Sequence, residues 1–372
     1  MKVQAERCRI LLLADLHRRD FPDTPCDAFV RAVLHNEHPD MVLFLGDMLD
    51  RESCQTVERL RSGIASVLAP LRETQTPFAF VFGNHDYEMV PSETRRHFGT
   101  DKASVKRRMA ALWAEAGGDL FLQPDGISEA EGYNSIYYIR DAHDKPCLAL
   151  FLFDTGDKLP GEETQDYVTE SQQAWFKEQR QRQPGIPAFV FQHIAVPEVF
   201  TYFRPAKRHI AFRTPRQKRQ VQLTCPTAFG ERWLQPPYRH MTGEMCERPC
   251  PPAVNGGEFR TLCADGNVKA LFFGHDHRNS FTIPTAGIDL VSIPGCGLLH
   301  GYGTPQIRGA GVLEISLAAG SYTKRIVTYY EAAKYPNTNL TVLRKGKGLE
   351  RRSAQFYFYA QRIAGTLARI GK

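Results

Sequence analysis

The chain has 372 residues, 42% of them hydrophobic, enough to bury the core of one large domain with insertions or of two smaller domains. Its formal charge of +6 is unevenly placed: residues 344–372 carry +7 and the remainder sums to about −1, so overall charge is no argument for a nucleic-acid partner. No run approaches the ~18 apolar residues of a membrane span, and the apolar stretch before Asp15 is too short for a signal peptide. With nine cysteines and no export signal, the expectation is a cytoplasmic protein with reduced thiols and no membrane contact.

Taken in order, the chain repeats one pattern, an apolar run that stops at residues able to bind metal. RILLLADLH ends in Asp15 and His17, MVLFLGD in Asp47, and FAFVFGNHD in Asn84, His85 and Asp86. Runs of this kind without alternation read as strands buried on both faces. Asp27–Glu37 and Val57–Leu71 have helical spacing between these strands, which predicts right-handed βαβ units and a parallel start to the sheet. Ser104–Gly117 is a further predicted helix, NSIYYIR and CLALFLFD are two predicted strands, and Ser171–Gln183 is a helix that stops before Pro184.

AFVFQH then ends in His193, and the rhythm breaks. Residues 194–267 hold several prolines, four cysteines and a basic run from Arg204 to Arg219, and read as an insertion that hangs over the strand ends as a lid or wall. The run ALFFGHDH presents His275 and His277, and IDLVSIPG, GVLEISL and KRIVTYY follow as antiparallel strands completing a second sheet. The domain expectation is a catalytic body over 1–330 and a basic extension over 331–372 with a helix in its tail. Cys225, Cys246, Cys250 and Cys263 lack a CxxC pair and read as free thiols rather than a zinc knuckle.

Two carboxylates, one amide and four imidazoles (Asp15, His17, Asp47, Asn84, His193, His275, His277) are too many for one tetrahedral ion. They suit two metals sharing a carboxylate, and a nitrogen and oxygen set without thiolate points to Mn, Fe or Zn. Two such ions can activate a water and clamp both oxygens of a displacement at phosphorus.

In this order DLH, GD, GNHD, the lone His193 and GHDH resemble the signature blocks of the calcineurin-like metallophosphoesterases. VTESQQAWF, FQHIAVPE and the run from NGGEFRTLCADGNVKALFFGHDH to GCGLLHGYG are similar to the chromophore-lacking branch of the purple acid phosphatase relatives. The resemblance implies an α/β fold, a four-layer α/β/β/α sandwich with mixed sheets. It also implies Asp15, His17 and His277 on one ion, Asn84, His193 and His275 on the other, and Asp47 bridging. Asn84 is expected to touch substrate as well. Where purple enzymes have a tyrosine ligand this chain has Arg18, so no purple colour is expected.

The same resemblance leaves His85 free of metal as a general acid, and implies a phosphatase that attacks with a metal-bridging hydroxide. GDMLDR is similar to a serine/threonine phosphatase segment in which Asp50 would orient that histidine and Arg51 would hold phosphate, although Glu52 stands where that segment has glycine. Asp86 is a second catalytic candidate beside a simple turn role, while Asp154 and Asp157 read as caps. His300 and Tyr302 are candidate pocket residues. Phosphomonoesters are the expected substrates, with a phosphodiesterase or nuclease as the alternative and a non-enzymatic interaction module as a further one.

Overall fold

The computed structural model describes residues 1, 6–18, 25–88, 90–128, 132–157, 164–206, 211–213, 220–222, 233–237, 239–297 and 305–335. Strand β1 (Arg7–Leu13) leads through helix α1 (Pro25–Glu37) to β2 (Met41–Leu45), and α2 (Val57–Thr74) leads to β3 (Phe78–Val81). Short helices α3 (Asn84–Glu88) and α4 (Ser92–Arg96) precede α5 (Lys102–Gly117). Then come β4 (Gly126–Ser128), β5 (Asn134–Arg140), β6 (Pro146–Leu152), α6 (Glu170–Arg182) and β7 (Ala188–Gln192).

Two ribbons follow, β8 (Arg204–Ala206) with β11 (Trp233–Gln235) and β9 (Ala211–Arg213) with β10 (Gln220–Gln222). Helix α7 (Glu258–Asp265) precedes β12 (Val268–Phe273), and β13 (Thr282–Thr285), β14 (Ile288–Ser292), β15 (Gly309–Ser316), β16 (Tyr322–Thr328) and α8 (Tyr329–Ala332) complete the described chain.

The strands form a five-stranded sheet ordered β16-β15-β1-β2-β3 and a seven-stranded sheet ordered β13-β14-β12-β7-β6-β5-β4. Alternate residues of each strand face opposite ways. Ile10 and Leu12 of β1 therefore meet Leu150, Phe189 and Phe272 in a core between the sheets. Leu11 and Leu13 turn outward onto α1, α2 and α5, through Phe29, Ile64, Leu68 and Trp113. On the far side Phe151, Val190 and Leu271 pack under α6 and α7, through Phe176, Phe259 and Leu262. This is the expected α/β/β/α sandwich, and it explains why the runs are apolar on both faces.

Two expectations are corrected. IDLVS is β14, which pairs parallel with β12 and so belongs to the sheet of the histidine loop. The last two strands join the first sheet, because β15 pairs antiparallel with β1 and β16 with β15. In addition, residues 258–265 of the predicted insertion form α7, the crossover between the parallel neighbours β7 and β12. The tail helix expected over 351–370 lies outside the described residues.

In β1, β2 and β3 of one sheet, and β7 and β12 of the other, the carboxyl ends reach the same edge. Backbone bonds stitch them there: Gly274 N–H donates to His193 O at 3.1 Å, Cys296 N–H to Ala14 O at 2.9 Å and Gly297 N–H to Asp15 O at 3.1 Å. Open α/β sheets bind ligands beyond such strand ends.

Candidate metal centre

Each chain segment leaving these strands turns sharply. Among the described residues eight non-glycine positions have a positive φ, and four of them are Asp15 (52°), His17 (39°), Asp47 (55°) and His275 (65°). Backbone of this kind is costly for residues with a Cβ and gathers at functional sites. Gly46 (φ 89°) and Gly83 pass so close that a Cβ on Gly83 would lie 2.2 Å from Asp47 Oδ1. Glycine at both positions is what lets the second and third strand ends approach.

The turns bring six of the seven predicted metal residues into two groups, Asp15 with His17 and His277, and Asp47 with His193 and His275. The seventh, Asn84, places Oδ1 3.2 Å from His193 Nε2. Both carboxylates are buried and split their oxygens in the same way. Asp15 Oδ2 accepts from His275 N at 3.0 Å and Asp47 Oδ1 from His85 N at 2.8 Å. Asp15 Oδ1 and Asp47 Oδ2 meet no donor in hydrogen-bonding geometry among the described residues. Imidazole nitrogen faces them instead: His277 Nε2 lies 3.4 Å from Asp15 Oδ1, and His193 Nε2 and His17 Nε2 lie 3.3 and 3.5 Å from Asp47 Oδ2. With ligand bonds near 2.0–2.2 Å, ligands around one ion lie roughly 3 Å or more apart. Asp47 Oδ2 faces an imidazole of each group, His17 of one and His193 of the other, and does so more closely than Asp15 Oδ1, which lies 4.0 Å from His193 Nε2.

Neighbouring polar groups orient this set. His193 Nδ1 donates to Leu45 O at 2.7 Å, which fixes the tautomer and turns the Nε2 lone pair into the centre. Burial alone would lower the His193 imidazole, but the Asp47 and Asp15 carboxylates outweigh it and raise it to about 10. His277 is likewise raised, its partner Asp15 overcoming burial. His275 and His17 are pushed down to about 3 and about 4, by burial first. Without ions, a proton on His193 thus offsets part of the charge of the two carboxylates.

The remaining predictions divide. Asp86 is buried and accepts from Gly83 N at 2.8 Å, Asp47 N at 2.9 Å and Met48 N at 3.1 Å. Burial and the Asp47 charge nevertheless push its carboxyl up to about 7. These bonds tie two loops together, the turn role expected for Asp86 beside a catalytic one. Asp50 caps the short 3₁₀ turn Arg51–Cys54, accepting from Arg51 N at 2.8 Å, and Arg51 itself is exposed. Glu88 places a carboxylate oxygen 3.5 Å from His85 Nδ1. One helical turn separates the two, a spacing that brings side chains together on α3. His85 is half-buried beside the centre, its ring centroid 5.4 Å from that of His17. Arg18, at the position of the purple enzymes' tyrosine, turns away to Asp27 (2.9 Å) and Ser66 (2.7 Å). His300 and Tyr302 lie outside the described residues.

Two further features were missed. The loop after β12 is clamped by the insertion: Cys250 N–H donates to Asp276 Oδ1, Cys246 N–H and Glu247 N–H to Asn279 Oδ1, and Arg278 pairs with Glu247 at 2.8 Å. Asp154 and Asp157 are more than caps, because the fully buried Lys106 of α5 pairs with them at 2.7 and 3.3 Å.

Fold and strand-end cluster define a class, and the chain belongs to the calcineurin-like phosphoesterase family, whose model matches residues 8–279. Among curated relatives, probable inactive purple acid phosphatase 28 of Arabidopsis thaliana is 27% identical over 331 residues, 85% of this chain and 72% of that protein. Probable inactive purple acid phosphatase 14 of the same plant is 27% identical over 334 residues, 80% of this chain and 72% of that protein. Among solved structures, a dimetal phosphatase from Danio rerio aligns with 87% of this chain and 99% of its own, at 12% identity and a TM-score of 0.49. Among the described residues no helix is long and apolar enough to cross a membrane.

Proposed function

We propose that the chain is a two-metal phosphoester hydrolase that acts on phosphomonoesters. The observation that carries this reading is the split use of Asp15 and Asp47: each ties one oxygen to backbone and leaves the other bare among imidazoles. A buried carboxylate oxygen without a donor is costly unless a cation sits against it. Asp15, His17 and His277 would hold one ion, Asn84, His193 and His275 the other, and Asp47 would serve both. When bound, two such ions acidify a water and neutralise charge on the phosphoryl oxygens. Mn, Fe and Zn all suit the donors.

The chain's own groups do the rest. His85 stands beside this cluster, half-buried, where it can deliver a proton to the leaving oxygen. Glu88 holds the Nδ1 side of that ring and leaves Nε2 to face substrate. Asp86 keeps the Asp47 and Asn84 loops in register through its three backbone bonds.

The relatives named probable inactive make a non-enzymatic module the reading to beat. Protein loaded with Mn, Fe or Zn should hydrolyse an aryl phosphate monoester faster than the matching diester. His85→Asn should lower kcat by about 10² to 10⁴ with metal content unchanged. An unchanged His85→Asn rate would overturn the catalytic reading. A diester preference with steep salt dependence would point to a phosphodiesterase or nuclease.

A further inference from the structure

A small cavity lies behind the metal centre, between the end of β7, the 3₁₀ turn Pro197–Phe200 and the start of α7. It has room for about one water-sized occupant, and Gln192, Glu198, Glu258, Asp166, Tyr167 and Thr155 are among its lining residues. Among the described residues no lining side chain is cationic, yet three are acidic. Three buried oxygens of this lining have no hydrogen-bond donor among the described residues: Glu258 Oε1, Gln192 Oε1 and Glu198 Oε2. Glu258 is only 7% exposed and Gln192 only 1%.

The amide of Gln192 is unambiguous in orientation. Its Nε2 donates to Ile194 O at 2.7 Å and to Glu258 Oε2 at 3.4 Å, both acceptors, so Oε1 is the atom left bare. Glu198 spends its other oxygen on Asn255 Nδ2 at 2.7 Å. A single water has two protons to give, fewer than the bare acceptors, and it brings no charge.

We propose that this cavity binds one hard, oxygen-seeking cation of the Ca²⁺ class, held by the carboxylates of Glu258 and Glu198 and the amide oxygen of Gln192. All-oxygen donors without imidazole or thiolate select hard cations. Ca²⁺ accepts an irregular oxygen shell, whereas Mg²⁺ demands a near-ideal octahedron and keeps its waters. Without a cation, burial pushes the Glu258 carboxyl up to about 8. Because Gln192 directly precedes His193, the ion would brace the strand end that carries a candidate ligand of the neighbouring centre. The site is separate from the proposed reaction and stands whether or not the chain is a hydrolase.

The test is equilibrium dialysis of the protein, already loaded with transition metal, against radiolabelled calcium, with magnesium and sodium as competitors. The expected result is about one saturable calcium per chain that adds to the transition metals without displacing them. Glu258→Gln should weaken calcium binding by about tenfold or more, roughly 1.4 kcal/mol, and leave the transition metals in place. Should that variant fail to fold, Glu198→Gln is expected to show the same loss. Bound Tb³⁺ should show tyrosine-sensitised emission that calcium quenches and that Tyr167→Phe weakens without loss of calcium. No saturable calcium in the unaltered protein, calcium that only displaces the transition metals, or a calcium affinity in both glutamate variants equal to that of the unaltered protein would overturn the proposal.

Discussion

Two clusters of buried charge lie close together and differ in how they are satisfied. Around Lys106 the opposite charges meet directly: its ammonium pairs with Asp154 and Asp157, and Asp154 also accepts from Tyr133 N and Gly156 N. Burial would lower this lysine, but the two aspartates override it and hold its charge firmly on. At the strand ends, Asp15 and Asp47 are buried just as deeply, yet one oxygen of each faces imidazole nitrogens at 3.3 Å or more. In the first cluster Asp157 Oδ1 is likewise without a hydrogen-bond donor among the described residues, but the Lys106 ammonium lies 3.3 Å from it and Lys102 pairs with its other oxygen at 2.8 Å. The second is incomplete without a cation, and its backbone is strained at four of the converging residues. Buried charge alone therefore does not mark a site; bare acceptors on a strained frame do.

The sharpest way to break this contrast is to remove the shared oxygen. Asp47→Ala should take bound transition metal from two ions to below one and abolish turnover, about 10⁴-fold or more, with modest change in the stability of the metal-free protein. Lys106→Met should do the opposite. It leaves Asp154 buried without its cation, while Asp157 keeps Lys102 at 2.8 Å, and should cost about 3–5 kcal/mol of folding stability, read by denaturant titration, with the metal count of the folded fraction unchanged. If Lys106→Met lost metal as readily as stability, the two clusters would be one unit.

A smaller effect concerns protons. Metal-free protein holds a proton on His193 (about 10), so loading at neutral pH should release at least about one proton per chain into a weakly buffered solution. Metal affinity should fall as pH falls. For the metal-free fold the sign is reversed: the stability from protonated His193 is fully present below about 6.5 and is lost as pH rises toward about 10. The smallest expected effect is that of Glu88→Gln, a fall in kcat of about tenfold or less with KM and metal content kept and the alkaline limb of the pH profile moved. An unmoved profile would remove Glu88 from its positioning role.

Much of this was legible because the signal was local. Apolar runs ending in Asp15, His17, Asp47, Asn84, His193, His275 and His277 announce both the buried strands and what stands at their ends. Partner choice was not legible: IDLVS and GVLEISL are equally apolar, and nothing in either run says that one lies beside the histidine strand and the other beside β1. Lys106 could have been found, since with Met109, Ala110 and Trp113 it sits at i, i+3, i+4 and i+7 on the buried face of α5. Glu88 stands one turn after His85, but only the structure shows that Asp50 is occupied by its own cap. Asp15, His17, Asp47 and His275 are not glycines, so their own positive φ was not legible in the sequence, although Gly46 and Gly274 stand directly before two of them.

The most direct test of the central claim is the metal count per chain of purified protein, with thermal stability measured before and after chelation. The account predicts two transition-metal ions per chain and a chelation loss of about 4 kcal/mol when free metal stands a thousandfold above its Kd. Fewer than one ion per chain after loading with Mn, Fe or Zn, with no change in stability on chelation, would contradict it.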